Sequence, residues 1–171
     1  FGTGMLMLPK ATHTGIHFLD ALFTSTSAVC VTGLVVVDTG SFFTPFGQSI
    51  ILVLIQLGGL GILTFASYFS YFFKGGSTYE NQVMLSDITN SQKIGEVYST
   101  LKRILIITFS IEAIGAITIF FSIPKQAIAD VGDRIVFSVF HSISAFCNAG
   151  FSTLSSSLYD VNFRFNYTFQ I

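Results

Sequence analysis

The sequence predicts an all-α membrane protein, and three observations carry that prediction. Of the 171 residues, 51% are apolar and only 10% charged, against roughly 25% charged in an ordinary soluble domain. Two stretches, Gly47–Phe73 and Leu105–Ile123, are apolar and long enough to cross a bilayer. Two shorter apolar segments, too short to cross, repeat one another. Mean hydropathy is +0.70. Twenty Phe with no Trp is a lopsided aromatic set. A net charge of −1 with eight basic residues excludes a nucleic-acid binder and a basic membrane-surface patch. The same figures argue against a soluble enzyme domain or a disordered tail. Lipid is the expected solvent.

Taken in order, Phe1–Leu8 is apolar and stops at Pro9 and Lys10, so residues 1–9 read as the end of a transmembrane helix. Gly47–Phe73 carries no formal charge, and its roughly 27 residues at 1.5 Å rise reach about 40 Å, enough to span with tilt. Residues 47–73 are therefore read as a transmembrane helix. Lys74–Thr100 is the one truly polar region, and Gly75-Gly76-Ser77 breaks a continuing helix. Residues 74–103 are read as a solvated connecting loop, with Ser91 placed to cap a helix running into the next span. Residues 104–123 form that span, with one charge, Glu112, and Pro124 closing it. Phe165–Ile171 opens another apolar run, so residues 165–171 read as the start of a further span and the chain as a fragment. Soluble core helices would need far more polar sequence to cover them on all sides.

His17–Val29 and Arg134–Phe146 are each about 13 residues long, the length of a re-entrant segment rather than a crossing. Their polar stretches, Thr24–Ser27 and His141–Ser144, are poor lipid-facing surface and lead into Gly-containing turns. Such backbone is tolerated at membrane depth only when buried in protein or lining water. Residues 10–46 and 124–164 thus each hold a short re-entrant helix, a turn and outer loop.

A shift of 117 positions, the distance from Cys30 to Cys147, lays FTSTSAVCVTGL (Phe23–Leu34) over FHSISAFCNAGF (Phe140–Phe151), with six of twelve positions identical. The shared Cys and Gly are scarcer letters than Phe. The repeating unit is span, short helix, Gly turn, span. That unit suits ion passage. A short helix stops at mid-membrane, the chain returns extended, and its carbonyl oxygens replace the water shell of a cation. Turning successive carbonyls to one side needs backbone angles that favour Gly. A ring around an ion needs about four such loops, so two more are expected outside these residues or in partner subunits.

These residues carry a resemblance to a known family. SAVCVTGL (Ser27–Leu34) resembles the first selectivity loop of the Trk/Ktr/HKT potassium transporter superfamily, and SAFCNAGF (Ser144–Phe151) resembles its second. QLGGLGILTF (Gln56–Phe65) is similar to the helix after the first loop, and IEAIGA (Ile111–Ala116) to the opening helix of the second repeat. The resemblance covers most of Phe1–Ser152 and is nearest to bacterial pore-forming subunits. It implies a potassium-channel-like fold of four membrane–pore-loop–membrane repeats, of which the chain spans late repeat one to mid repeat two. By the same resemblance the selectivity-filter residues, which bind the transported K+, are Cys30, Val31, Thr32 and Gly33, then Cys147, Asn148, Ala149 and Gly150. Cys30 and Cys147 depart from the family, whose members more often carry Thr, Asn or another small polar residue there. Gly33, rather than Ser, resembles potassium-selective members. The resemblance further implies a homodimer in the bacterial inner membrane, docked on a cytoplasmic nucleotide-binding regulatory ring. Basic residues tie at four on each side of the spans, so the cytoplasmic placement of 74–103 also comes from the resemblance.

Several residues are weighed individually. Cys30 and Cys147 fit a disulfide, a metal pair or repeat equivalents, and their shared context favours free thiols at equivalent positions. Glu112 is the one charge within a span and so a secondary site candidate, set against a helix-packing role. Gly58, Gly59 and Gly61 mark either a kink or close packing around a short helix, and close packing is the better reading. His13, His17 and His141 show no ligand spacing, though His141 sits where a hydrogen bond near the second loop is expected. No phosphate loop, nucleophile–His pair, HExxH or CxxC is present, so the chain is read as a non-enzyme with no organic cofactor. Three functions compete: a potassium pore subunit or its sodium-permeable variant, a broken-helix transporter of a small solute, and a poreless membrane scaffold. The second needs a roomier site with charged or aromatic lining, and the third predicts that Gly33 and Gly150 tolerate Ala.

Overall fold

The computed structural model describes residues 1–74, 94–123, 128 and 130–154. Ser91, Pro124 and the span start at 165–171 lie outside the described residues. Six helices follow in order among those described: α1 (Gly2–Leu6), α2 (Phe18–Val29), α3 (Thr39–Phe42), α4 (Pro45–Lys74), α5 (Ile94–Ser122) and α6 (Val131–Phe146). The chain divides into two compact units, residues 1–59 with 110–171, and residues 60–109.

In the first unit, α4 starts where its sequence allows. Pro45 occupies the first helical turn, where a missing N–H costs nothing. The Thr44 hydroxyl accepts the Gly47 N–H at 3.2 Å and donates to the Lys10 carbonyl at 2.6 Å. The helix covers the whole uncharged stretch read as the first span. Its inner face contributes Ile50, Ile51, Leu54 and Ile55 to a core with Leu6, Ala28, Phe43 and Phe140. α2 turns Ala21, Thr24, Ser25 and Ala28 inward, a stripe of small residues that lets neighbours approach closely. Thr3 of α1 and Ser25 of α2 join through their hydroxyls at 2.9 Å.

α6 begins earlier than the apolar pattern at Arg134 indicates. Asp130 caps it, its carboxylate accepting the Asp133 N–H at 3.1 Å, so the helix runs from Val131. Arg134 then faces inward. Its guanidinium donates to the Phe120 and Ile123 carbonyls at 2.8 and 3.1 Å and lies 4.6 Å from the Phe120 ring centroid. Carbonyls at the end of α5, which have no intrahelical partner, are thereby satisfied by a cation on the favourable end of the helix dipole.

α3 is a single turn within 10–46 that hydrophobic periodicity does not reveal. The Asp38 carboxylate accepts the Ser41 N–H at 2.7 Å, and Thr12 forms an isolated antiparallel bridge with Phe43.

The second unit holds the far part of α4 and the beginning of α5, and Thr64 Oγ1 donates to the Leu60 carbonyl at 2.7 Å within it. α5 already begins at Ile94, so the last residues of the segment read as loop 74–103 are helical, as a helix continuing into the span requires. Lys102–Ser122 is, among the described residues, the stretch long and apolar enough to cross a membrane. Only 11% of its most apolar window is buried within the chain, whereas a soluble core helix would be mostly buried.

Candidate functional site

α2 and α6 end in the same way. Cys30 closes α2 at φ −79°, ψ −2°, and Cys147 closes α6 at φ −77°, ψ −5°. The next residue enters the left-handed region in each: Val31 at φ 56° and Asn148 at φ 54°. Two residues on, Gly33 lies at φ 76° and Gly150 at φ 70°.

The hydrogen bonds match too. Cys30 N–H donates to Thr26 O at 2.8 Å, Val31 N–H to Ala28 O at 3.2 Å and Thr32 N–H to Ser27 O at 2.9 Å. Cys147 N–H donates to Ile143 O at 3.0 Å, Asn148 N–H to Ala145 O at 2.9 Å and Ala149 N–H to Ser144 O at 2.7 Å. Each partner lies 117 residues from its counterpart. The last two bonds of each set form a Schellman cap, which satisfies helix-end carbonyls and usually places Gly in the left-handed position. Asn tolerates that position, but Val is β-branched and resists it. An outlier of this kind points to a constrained, functional loop.

The two loops meet at their glycines. A Cβ on Gly33 would overlap the Ala149 carbonyl oxygen and stand 3.2 Å from Gly150 Cα. A Cβ on Gly150 would stand 3.5 Å from Gly33 Cα, an ordinary contact. Both Gly33 and Gly150 therefore need their positive φ, and Gly33 also needs its missing side chain. Both short helices also direct their negative dipole ends into these loops, with no basic residue in either last turn. A cation is the ligand such an arrangement favours. Among the described residues no cluster of three or more His, Cys, Asp or Glu could hold a metal ion.

Residues 2–171 match the TrkH family of cation transport proteins. The chain belongs to that family. It is 40% identical over 157 residues to Ktr system potassium uptake protein B of Bacillus subtilis, covering 92% of this chain and 35% of that protein. It is 38% identical over 161 residues to potassium/sodium uptake protein NtpJ of Enterococcus hirae, covering 92% and 35%. Ktr system potassium uptake protein B of Vibrio alginolyticus is 35% identical over 156 residues, covering 90% and 33%. The chain thus spans about a third of the length of these relatives. It is a membrane protein of a transporter family, not an enzyme family.

The remaining candidates in this TrkH-family chain lie close behind the loops. Both cysteines are free thiols. Gly58 and Gly59 of α4 are close-approach positions: a Cβ on Gly58 would overlap the Val29 carbonyl at the end of α2, and one on Gly59 would press on Cys147 Sγ. Gly61 meets nothing within 4 Å.

Glu112 is buried, and its Oε1 accepts from Gln56 Nε2 at 3.0 Å. Its backbone carbonyl accepts the Ser142 hydroxyl at 2.7 Å, beside Gly115. Glu112 therefore joins α4, α5 and α6 through hydrogen bonds. Glu112 Oε2 and Gln56 Oε1 remain buried without a protein partner. Sequence reasoning missed Gln56, although an amide deep in one span and a lone carboxylate in the next signal a pair.

Two further residues were not anticipated. Ser144 Oγ donates to the Phe151 carbonyl at 2.7 Å, and Ser152 Oγ meets His141 Nε2 at 3.0 Å. His141 Nδ1 lies 2.9 Å from the Phe137 carbonyl, which can only accept, so in the neutral ring Nδ1 carries the proton and Nε2 accepts from Ser152. The expected hydrogen bond of His141 near the second loop is this one.

Proposed function

We propose that the chain supplies two of the filter loops of a potassium uptake protein. K+ is the transported substrate, moving past the backbone carbonyls of Cys30–Gly33 and Cys147–Gly150. The observation that supports this best is the meeting of the two equivalently shaped loops at Gly33 and Gly150, backbone against backbone. Carbonyls held in this way replace a cation's hydration shell and release it again, provided that no single site binds too tightly. Cys at the first position of each loop does little harm if the carbonyl is the ligand.

In the full-length protein we place these loops at the outer face, residues 74–103 in the cytoplasm, and two more loops in the rest of the chain. A homodimer in the bacterial inner membrane, docked on a nucleotide-binding regulatory ring, completes the reading. The similarity to NtpJ, named a potassium/sodium uptake protein, favours sodium permeation as a second reading.

The test is potassium uptake by the full-length protein in a strain lacking its own systems, with rubidium and sodium flux in liposomes. Wild type should restore uptake. Gly33→Ser should lose it or admit sodium, and Gly150→Ala should retain more uptake than Gly33→Ala, because only the latter adds an overlap to the left-handed strain. No uptake and no rubidium flux from full-length protein would sink the reading.

A further inference from the structure

The two loops share a cap but not the support behind it. In the second, side chains of α6 reach past Gly150 and hold the outgoing chain. Ser144 takes the Phe151 carbonyl at 2.7 Å, and His141 takes the Ser152 hydroxyl at 3.0 Å. Ser152 Oγ in turn accepts the Leu154 N–H at 3.1 Å. The 117-residue shift pairs Ser144 with Ser27, His141 with Thr24, Phe151 with Leu34 and Ser152 with Val35. In the first loop neither tie forms. Ser27 and Thr24 are 5% and 0% exposed, and both hydroxyls are buried without a hydrogen-bond partner among the described residues. Val35 has no hydroxyl to offer. Among the described residues the side-chain tie nearest Gly33 is Thr32 Oγ1 to Ser27 O at 3.3 Å, which lies before it, and none reaches Leu34 or Val35.

We propose that His141 and Ser144 are positioning residues that fix the second loop beyond Gly150, and that ion discrimination depends on them and not on their counterparts Thr24 and Ser27. Among the described residues the first loop has no such tie beyond its cap and is placed there by packing, Gly33 against Ala149 and Val37 against the core. Two loops around one cation path then have unequal stiffness, and the stiffer one sets the carbonyl spacing that separates a larger from a smaller cation. A binding constellation must be held to within about 0.5 Å to keep its geometry, and hydrogen bonds from locked side chains are how folds achieve that. His141 suits the task because its ring is packed at 4.0 Å between centroids against Phe137 and anchored at Nδ1.

This inference rests on the pore reading, and its test separates the two. The full-length protein in liposomes is assayed for the ratio of rubidium to sodium flux. Ser144→Ala and His141→Phe, the latter keeping an aromatic ring but losing the tie to Ser152, should each lower the ratio by about three- to tenfold, the worth of the one neutral hydrogen bond that each makes to the outgoing chain. Ser144→Thr, which keeps the hydroxyl, should restore it. Ser27→Ala and Thr24→Val should leave the ratio within about twofold, since each removes a hydroxyl that already lacks a partner. An unchanged ratio in both Ser144→Ala and His141→Phe, or an equal drop in Ser27→Ala, overturns the proposal while flux persists. Absence of flux from wild type overturns the pore reading instead.

Discussion

Val31 and Asn148 hold the same left-handed conformation with side chains of opposite suitability, and Gly33 and Gly150 follow at the same spacing. The loops are thus specified by hydrogen bonds to the helix ends more than by residue preference. Glu112 poses a different problem at the same scale. One carboxylate oxygen accepts from Gln56, the other has no partner, and Gln56 Oε1 has none either. Glu112→Gln keeps the acceptor for Gln56 and replaces the unpartnered carboxyl oxygen with an amide donor. It should match or exceed wild type in thermal stability in detergent and retain uptake. Glu112→Ala removes the acceptor and leaves the Gln56 amide buried, which should cost about 1–3 kcal/mol. Wild-type uptake in both variants would make Glu112 dispensable. Loss of uptake in a stable Glu112→Gln protein would instead give its charge a transport role.

At the scale of elements, the helices are placed by small residues where backbones approach and by polar side chains at helix ends. Gly58 lies against the Val29 carbonyl and Gly59 against Cys147, whereas Gly61 meets nothing within 4 Å. Gly58→Ala and Gly59→Ala should each lower stability by about 1–3 kcal/mol through overpacking. Gly61→Ala should raise it by up to about 1 kcal/mol through helix propensity. Thermal melts of the three full-length variants in one detergent check the order. Here the sequence was readable: an uncharged span with a glycine cluster opposite short, polar-ended helices implies close packing. The extents of α2 and α4 follow the apolar stretches read at His17–Val29 and Gly47–Phe73 closely, and Pro45 opens α4 just ahead of its run. What escaped has a physical reason in each case. α3 is too short for any periodicity, and α6 starts early because Asp130 caps it ahead of the apolar pattern. The Arg134, Gln56 and His141 partnerships depend on residues that only the fold brings together. The equivalence of Cys30–Gly33 with Cys147–Gly150 could be read from letters, but their meeting at Gly33 and Ala149 could not.

For the whole molecule, the decisive quantity on the proposed pore reading is how many loops surround the ion. Two loops leave a cation open to water on its other sides, where it gains nothing by shedding its hydration shell. The exposed apolar residues of α5, among them Ile107, Ile114, Ile117 and Phe121, must also be covered by lipid or by further helices of the protein. The chain covers 35% of the length of its Bacillus subtilis relative, which leaves room for the further loops that the pore reading requires and for such helices. Residues 1–171 reconstituted alone should therefore pass no rubidium, while the full-length parent in the same liposomes should. Selective rubidium flux through residues 1–171 would mean that copies of this piece assemble their own ring. Chemical cross-linking in the same liposomes would then reveal an oligomer in which two chains supply four loops, and the four-repeat reading of a single chain would fall.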